Sequence, residues 1–211
     1  MRPTTSMDMN KQVLEYLKRV QSLAKTGLTY AEDAYDRERY EELKESTNSL
    51  LSALMGVEVE RIVAQFENLD DYPTPKVDVR GVILKEGKIL LIREKTDGKW
   101  AMPGGWADNG YSPSENIVKE VWEESGLRVR PERLLAVWDK RKHDHPADVH
   151  SVYKLNFLCI EEGGALNPGH ETMGAAYFPI DQLPELSLMR NTSAQIQKLY
   201  ELAISGGVDF D

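Results

Sequence analysis

The stretch PGGWADNGYSPSENIVKEVWEESGL, residues 103–127, decides the reading of this chain. Ser112-Pro113-Ser114-Glu115 has the chemistry of a helix start: Ser112 can cap, Pro113 suits the first helical position, and Glu115 supplies the return half of a capping box. Gly126 is placed to end the helix in the left-handed C-terminal position. At about 100° per residue, Ile117, Val118, Val121, Trp122 and Ser125 fill one side and Glu120, Glu123 and Glu124 converge on the other. Like charges at this spacing each cost a few tenths of a kcal/mol, and only Glu123 has helical relief, from Lys119 one turn earlier. A carboxylate cluster beside main-chain carbonyls exposed by a tight Pro-Gly-Gly turn suits a hard, oxygen-seeking cation such as Mg²⁺.

Working outward, a chain of 211 residues with 41% hydrophobic and 29% charged residues can bury the core of one generous domain or two small ones. No apolar run approaches the roughly 20 residues that span a bilayer, so no membrane partner is expected. The opening MRPTTSMDMNKQ lacks the apolar segment of a secretory signal, and its first six residues read as a disordered tip. The single cysteine, Cys159, lies in the apolar run YKLNFLCIE and reads as a small buried hydrophobe. These features predict a cytoplasmic protein. A net charge of −9 disfavours broad capture of nucleic acid, but not a phosphorylated ligand partnered by a metal ion.

The chain changes character at DDYPTPK, residues 70–76, where two prolines end any preceding helix. Upstream the period is helical. Val13, Leu14, Leu17, Val20, Leu23 and Ala24 define a first helix with Gly27 as its stop. A second runs from about Ala31 to Gly56, and a third carries Val59, Ile62, Val63 and Phe66. Such short helices need partners, which predicts a small all-α unit over residues 1–70, a linker at 71–75 and a second domain at 76–211. Downstream the period shifts toward two: a hairpin (residues 77–84 and 89–93), further strands at 134–140, 151–161 and 174–180, and a closing helix from TSAQIQKLYELAIS. Mostly antiparallel strands with interposed helices predict an α+β layered fold.

The quoted stretch resembles a Nudix box, Gly-x5-Glu-x7-Arg-Glu-U-x-Glu-Glu-x-Gly-U with U aliphatic. Gly105, Glu120, Val121, Glu123, Glu124, Gly126 and Leu127 stand at its places in order. Two positions depart. Lys119 replaces the arginine, keeping charge but losing a two-pronged grip on a carboxylate, and Tyr111 replaces the first glutamate. The resemblance implies a Nudix fold, a mixed sheet sandwiched between helices, for residues 76–211. It also implies metal-dependent hydrolysis of a nucleoside diphosphate linked to another moiety. The N-terminal helices and GGWADNGYSPSE resemble a bacterial subgroup of CDP-choline and ADP-ribose pyrophosphatases, with CDP-choline the first expectation and ADP-ribose the second.

By that resemblance Gly105 (through its carbonyl), Glu120, Glu123 and Glu124 would hold Mg²⁺ or Mn²⁺, and the catalytic set is Glu120, Lys119 and Glu171, a glutamate in the loop GHETMGAAYF. Arg80 and Arg93 on the first two strands, Trp106 beside the Gly-Gly turn and Arg190 in LSLMRNT are candidates to bind substrate. Trp100 reads as a packing anchor, and the loop DKRKHDHPADVH as solvated rather than as a zinc site. The expected partners are a small nucleotide-conjugate substrate and a second copy of the chain, a homodimer. Hydrolysis at the end of a short RNA and non-catalytic nucleotide sensing are the alternatives.

Overall fold

The structure, a computed structural model, describes residues 6–66 and 73–211. Residues 1–5 of the expected N-terminal tip and 67–72, which include part of the expected break, lie outside the described residues. The chain forms two compact units, Met1–Thr74 with Ala147–Val149, and Pro75–Pro146 with His150–Asp211.

The first unit contains α1 (Ser6–Tyr30), α2 (Ala34–Met55) and α3 (Val59–Phe66). Its core gathers Leu14, Leu17, Leu51, Ile62 and Val149. Asp33 caps α2, accepting from the Tyr35 and Asp36 backbone N–H groups, and Gly56 closes it with φ of 65°. Gly27 does not stop α1 as expected; the helix continues to Tyr30. A Cβ at Gly27 would lie 2.5 Å from the Tyr40 ring, so this glycine admits an aromatic side chain against the helix backbone. That is a packing role rather than a terminating one.

In the second unit the strands are β1 (Lys76–Lys85), β2 (Lys88–Glu94), β3 (Trp100–Ala101), β4 (Leu127–Asp139), β5 (Val152–Gly164), β6 (Thr172–Pro179) and β7 (Asp209–Phe210), and the helices α4 (Pro113–Ser125) and α5 (Ser193–Ser205). The sheet order is β3-β2-β1-β5-β4-β7, with β6 on β2. β1 runs parallel to β5, from Lys76 opposite Val152 to Ile83 opposite Cys159. Alternate β1 residues serve opposite faces. Val79 and Ile83 pack with Ile117 and Val121 of α4, whereas Val82 packs with Ile196, Leu199 and Leu202 of α5. The result is the predicted α+β fold, a mixed sheet between helices. At Gly81 a Cβ would meet Val121 at 3.1 Å and Ile117 at 3.3 Å, so glycine lets α4 lie close to the sheet.

The β1–β2 hairpin is zipped only at its turn, through Leu84–Ile89 and Lys85–Lys88. Below that it opens like a fork. The first half of β1 instead pairs with the Gly-Gly stretch: Val79 N–H donates to Gly105 O, Gly81 N–H to Pro103 O and Ala107 N–H to Val77 O, each at 2.9 Å. Two sequence expectations need refinement. β4 begins directly after Gly126 and is much longer than residues 134–140. The His-rich loop is not simply solvated: His145 is buried with Nδ1 2.7 Å from the Leu188 carbonyl, and the His143 ring lies 4.8 Å from Trp138. Trp100 does anchor packing, edge-on to Phe178 at 4.7 Å, and Cys159 is buried and free.

Candidate active site

Helix α4 is fixed at both ends by its own sequence. Ser112 Oγ accepts the Glu115 N–H at 3.2 Å, the Glu115 carboxylate accepts the Ser112 N–H at 2.8 Å, and Gly126 takes φ of 74°. A residue that sequence reading passed over, Asn116, fastens the preceding loop. Its buried amide accepts the Asp108 N–H at 2.9 Å and donates to the carbonyls of Asp108, Tyr111 and Ser112.

The helix faces are not divided as expected. Glu124 is 7% exposed and Trp122 is 53% exposed. Glu124 continues the Ile117–Val121 stripe at the i, i+4, i+7 spacing, while Trp122 is rotated off it. The burial is tolerable because Glu124 Oε2 accepts the Gly104 N–H at 2.7 Å. Gly104 has no alternative: with φ of 137°, a Cβ there would sit 2.0 Å from the Val79 carbonyl oxygen. Glu120 lies against Gly105, its carboxylate oxygens 3.0 and 3.2 Å from where a Cβ would stand. Glu123 points to Lys119 at 3.7 Å, and Lys119 Nζ also holds Asp108 at 2.7 Å. The Tyr111 ring, where the box has glutamate, lies 5.9 Å from the Lys119 ammonium and is exposed.

Positive charge reaches these carboxylates from Arg80, which is buried. Its Nε and Nη2 grip Asp78 (3.1 and 2.8 Å), and Nη1 donates to Met102 O at 3.1 Å. Lys154, opposite Asp78 on β5, makes an ion pair with the same carboxylate. Burial would raise the Asp78 carboxyl, but Arg80 and Lys154 outweigh it and hold it below the usual carboxylate value. Burial likewise opposes the charge on Arg80, and Asp78, Glu124 and Glu94 outweigh that. Glu124 fares differently. Burial pushes it up to about 8, Glu120 and Glu94 add to the rise, and Arg80 and the Gly104 N–H only partly oppose it. Burial also raises Glu120, against Lys119 and Arg80.

Glu94, another residue the sequence reading passed over, ends β2 beside this cluster. It is buried, its carboxyl is raised by burial, and it makes an ion pair with Arg190. Arg190 is further held by Ser187 Oγ at 3.1 Å and Thr96 Oγ1 at 3.2 Å. The structure thus brings Arg80, Glu120, Glu124 and Gly105 together, with Arg190 joined through Glu94. Arg93 is not among them: its side chain is exposed and Nε donates to Gly98 O at 2.8 Å. Trp106 is 47% exposed next to the Gly-Gly turn, with Lys76 Nζ 5.2 Å from its ring and His150 edge-on at 6.0 Å. Glu171 is exposed, in a loop whose backbone abuts the end of α4. A sequence signal for the missed residues existed. Asp78, Glu94, Lys154 and Asn156 all occupy strand positions that face a core, where a polar side chain needs a reason.

Among the described residues no three His, Cys, Asp or Glu side chains form a closed metal cluster. The donors nevertheless fit a divalent cation in chemistry. Glu120 and Glu124 are oxygen donors against the Gly104-Gly105 turn in the C-terminal half of α4, both raised by burial, and Glu123 stands beside them on the same helix. The Gly105 carbonyl spends one lone pair on Val79 N–H and keeps another.

Residues 73–200 match the family model described as a NUDIX domain, and residues 11–66 match the one described as a UDP-X-like, N-terminal oligomerisation domain. The Bacillus subtilis (strain 168) protein YjhB, provisionally named an ADP-ribose pyrophosphatase, is 44% identical over 89% of this chain and 90% of its own length. The crystal structure of an ADP-ribose pyrophosphatase from Streptococcus suis 89-1591 is 42% identical, with a TM-score of 0.60 over 65% of this chain and all (100%) of that one. A solved UDP-X diphosphatase is 35% identical with a TM-score of 0.64, covering 96% of this chain and 99% of its own. The chain belongs to the Nudix hydrolase family and is a pyrophosphatase of that family. Members of the family generally use divalent metal ions. Among the described residues no helix is long and apolar enough to cross a membrane.

Proposed function

We propose that the protein hydrolyses the pyrophosphate bond of a small nucleoside diphosphate linked to a second moiety, with Mg²⁺ or Mn²⁺ held by Glu120, Glu123, Glu124 and the Gly105 carbonyl. The observation that carries this reading is the packing of buried Glu124 and half-buried Glu120 against the Gly104-Gly105 turn, where burial raises both carboxyls in spite of Arg80. A divalent ion held by these residues would neutralise pyrophosphate oxygens and make water acidic enough to attack. Arg80, locked by Asp78 and Met102, lends its positive charge to Glu120 and Glu124. Glu171 serves as the general base, accepting the proton of the attacking water, with Glu120 as its alternative. Lys119 orders the loop before α4 through Asp108. Trp106 offers an exposed ring face on which a nucleobase can stack, and Arg190 binds a substrate phosphate. Arg93, engaged with Gly98 O, is withdrawn from the substrate-binding set.

The names of the relatives support ADP-ribose and UDP-linked conjugates, and the tyrosine at position 111 keeps CDP-choline in the set. The deciding test incubates the full chain with Mg²⁺ or Mn²⁺ and CDP-choline, ADP-ribose, UDP-glucose, NADH or a short 5′-phosphorylated RNA, and resolves the products. Rapid cleavage of one conjugate names the substrate, whereas no turnover on any of them refutes the proposal. Glu123→Gln with Glu124→Gln should abolish metal-dependent turnover without unfolding the chain, and full activity in that double variant would refute the metal assignment.

The chain acts as a homodimer through the helical unit. α1 exposes Val13, Tyr16, Leu23 and Tyr30, and α2 exposes Leu43 and Leu50. Tyr16, Leu23 and Tyr30 recur every seven residues, the spacing of a helix-packing seam, in a region matching an oligomerisation domain. Tyr16→Glu with Leu23→Glu should give a monomer in sedimentation analysis; an unchanged dimer would rule this face out.

A further inference from the structure

The C-terminal cap of α4 comes from a distant loop. Carbonyls in the last turn of a helix have no partner within it and must find one elsewhere. Here the Asn167 N–H donates to Ser125 O at 2.9 Å, and the Thr172 hydroxyl donates to Glu124 O at 2.8 Å. The same hydroxyl accepts the Gly169 N–H at 2.8 Å, and Thr172 is buried. Contact at this point is close enough to require glycine, since a Cβ at Gly169 would fall 1.7 Å from Glu123 O. On its other side the loop is tied to the residue after β2. Lys95 N–H donates to Glu171 O at 3.1 Å, and Lys95 Nζ donates to His170 O. A bulge in the β2–β6 ladder at Arg93/Glu94 pairs Thr172 with Glu94, so the loop, Glu94 and the last turn of α4 meet at one place. The Glu171 backbone is therefore held on both sides while its side chain stays exposed.

We infer that Thr172 is a positioning residue for the hydrolysis: one hydroxyl latches the loop that carries Glu171 onto the backbone of the helix that carries Glu120, Glu123 and Glu124. The inference rests on the proposed roles of Glu171 and the helical carboxylates. A general base must stand within hydrogen-bond reach of the water it deprotonates, so its placement relative to the metal-binding carboxylates sets the rate. Valine matches threonine in shape but neither donates nor accepts. Thr172→Val then unlatches the loop without opening a cavity, and Thr172→Ser keeps the latch.

The test uses the full chain with Mg²⁺ and whichever conjugate the wild type cleaves. Thr172→Val should lower kcat by about tenfold or more with KM changed by less than about twofold, and Thr172→Ser should restore most of the loss. Because Thr172 acts through Glu171, Thr172→Val should have little further effect in a Glu171→Gln background. A kcat within about twofold of wild type in Thr172→Val, whatever its melting temperature, overturns the inference, as do multiplicative effects in the double variant. Hydrogen exchange reads the latch without turnover. Amides of the 167–172 loop and of the last turn of α4 should lose protection together in Thr172→Val and not in Thr172→Ser. Loss confined to the loop overturns the latch. A wild type that cleaves no conjugate refutes the proposed function instead, and the exchange result still decides the latch.

Discussion

Two adjacent glycines should respond in opposite ways to the same methyl group. In Gly104→Ala the new Cβ would stand 2.0 Å from the Val79 carbonyl oxygen and 2.9 Å from the Arg80 Cα, both backbone atoms, at φ of 137°. Neither can swing aside, so the stretch must withdraw from β1 by about 1 Å or more, the gap between that position and an ordinary nonbonded contact. Withdrawal stretches the Val79–Gly105 and Gly81–Pro103 bonds (2.9 Å each) and the Gly104 N–H bond to Glu124 (2.7 Å). Backbone strain of about 1–3 kcal/mol and about 1 kcal/mol for each of the three bonds give roughly 4–6 kcal/mol. In a chain of this size that lowers the melting temperature by roughly 10–25 °C. Gly105→Ala meets only the Glu120 carboxylate, the end of a flexible side chain, at 3.0 Å and without a positive φ. Its stability should change by less than about 1 kcal/mol, while the displaced Glu120 costs activity. Gly110→Ala, with φ of 89° and no atom within 4 Å, isolates the strain alone. Calorimetry on the three variants, with turnover measured beside it, checks the set. A Gly104→Ala melting point within about 3 °C of wild type, a shift worth only about 1 kcal/mol, would refute the described fork between β1 and residues 103–107.

Asp78→Asn leaves Arg80 and Lys154 buried without their shared counter-charge and should cost roughly 3–5 kcal/mol in urea unfolding. Lys154→Met should cost less, because Asp78 still holds Arg80. His145 is kept neutral chiefly by burial, at a pKa of about 4, with Lys154, Lys140 and His143 adding to the depression and the Leu188 carbonyl opposing it. Its unfolded form, near pKa 6.5, binds the extra proton first. Stability is therefore intact above about pH 6.5 and falls by about 1–3 kcal/mol as the pH drops toward 4. Unfolding curves at pH 7 and 5 should show that loss, and His145→Gln should flatten it. Asn116→Leu orphans the Asp108 N–H and frees the 108–112 loop, lowering stability by about 1–3 kcal/mol. Faster amide exchange at 108–112 would check it.

The features legible from local pattern are set by short-range terms. The capping box at Ser112, the left-handed stop at Gly126, the hairpin near Gly87 and the closing helix after Thr192 depend on residues a few positions apart, and each stands where the pattern puts it. The alternation of β1 and β5 likewise fixed which residues enter a core. Local patterns cannot say which distant group answers a buried one. Glu124 follows the apolar stripe into the interior because a Gly104 N–H twenty residues earlier is there to receive it. Glu94 is matched by Arg190, Asp78 by Lys154, and the last turn of α4 by Thr172. Gly27 shows the converse: its sequence reads as a helix stop, and packing against Tyr40 gives it another use. The acidic triplet pointed to a cation, but it was packing that buried Glu124, half-buried Glu120 and left Glu123 exposed. Desolvation is a property of the surroundings, and a linear pattern does not contain them.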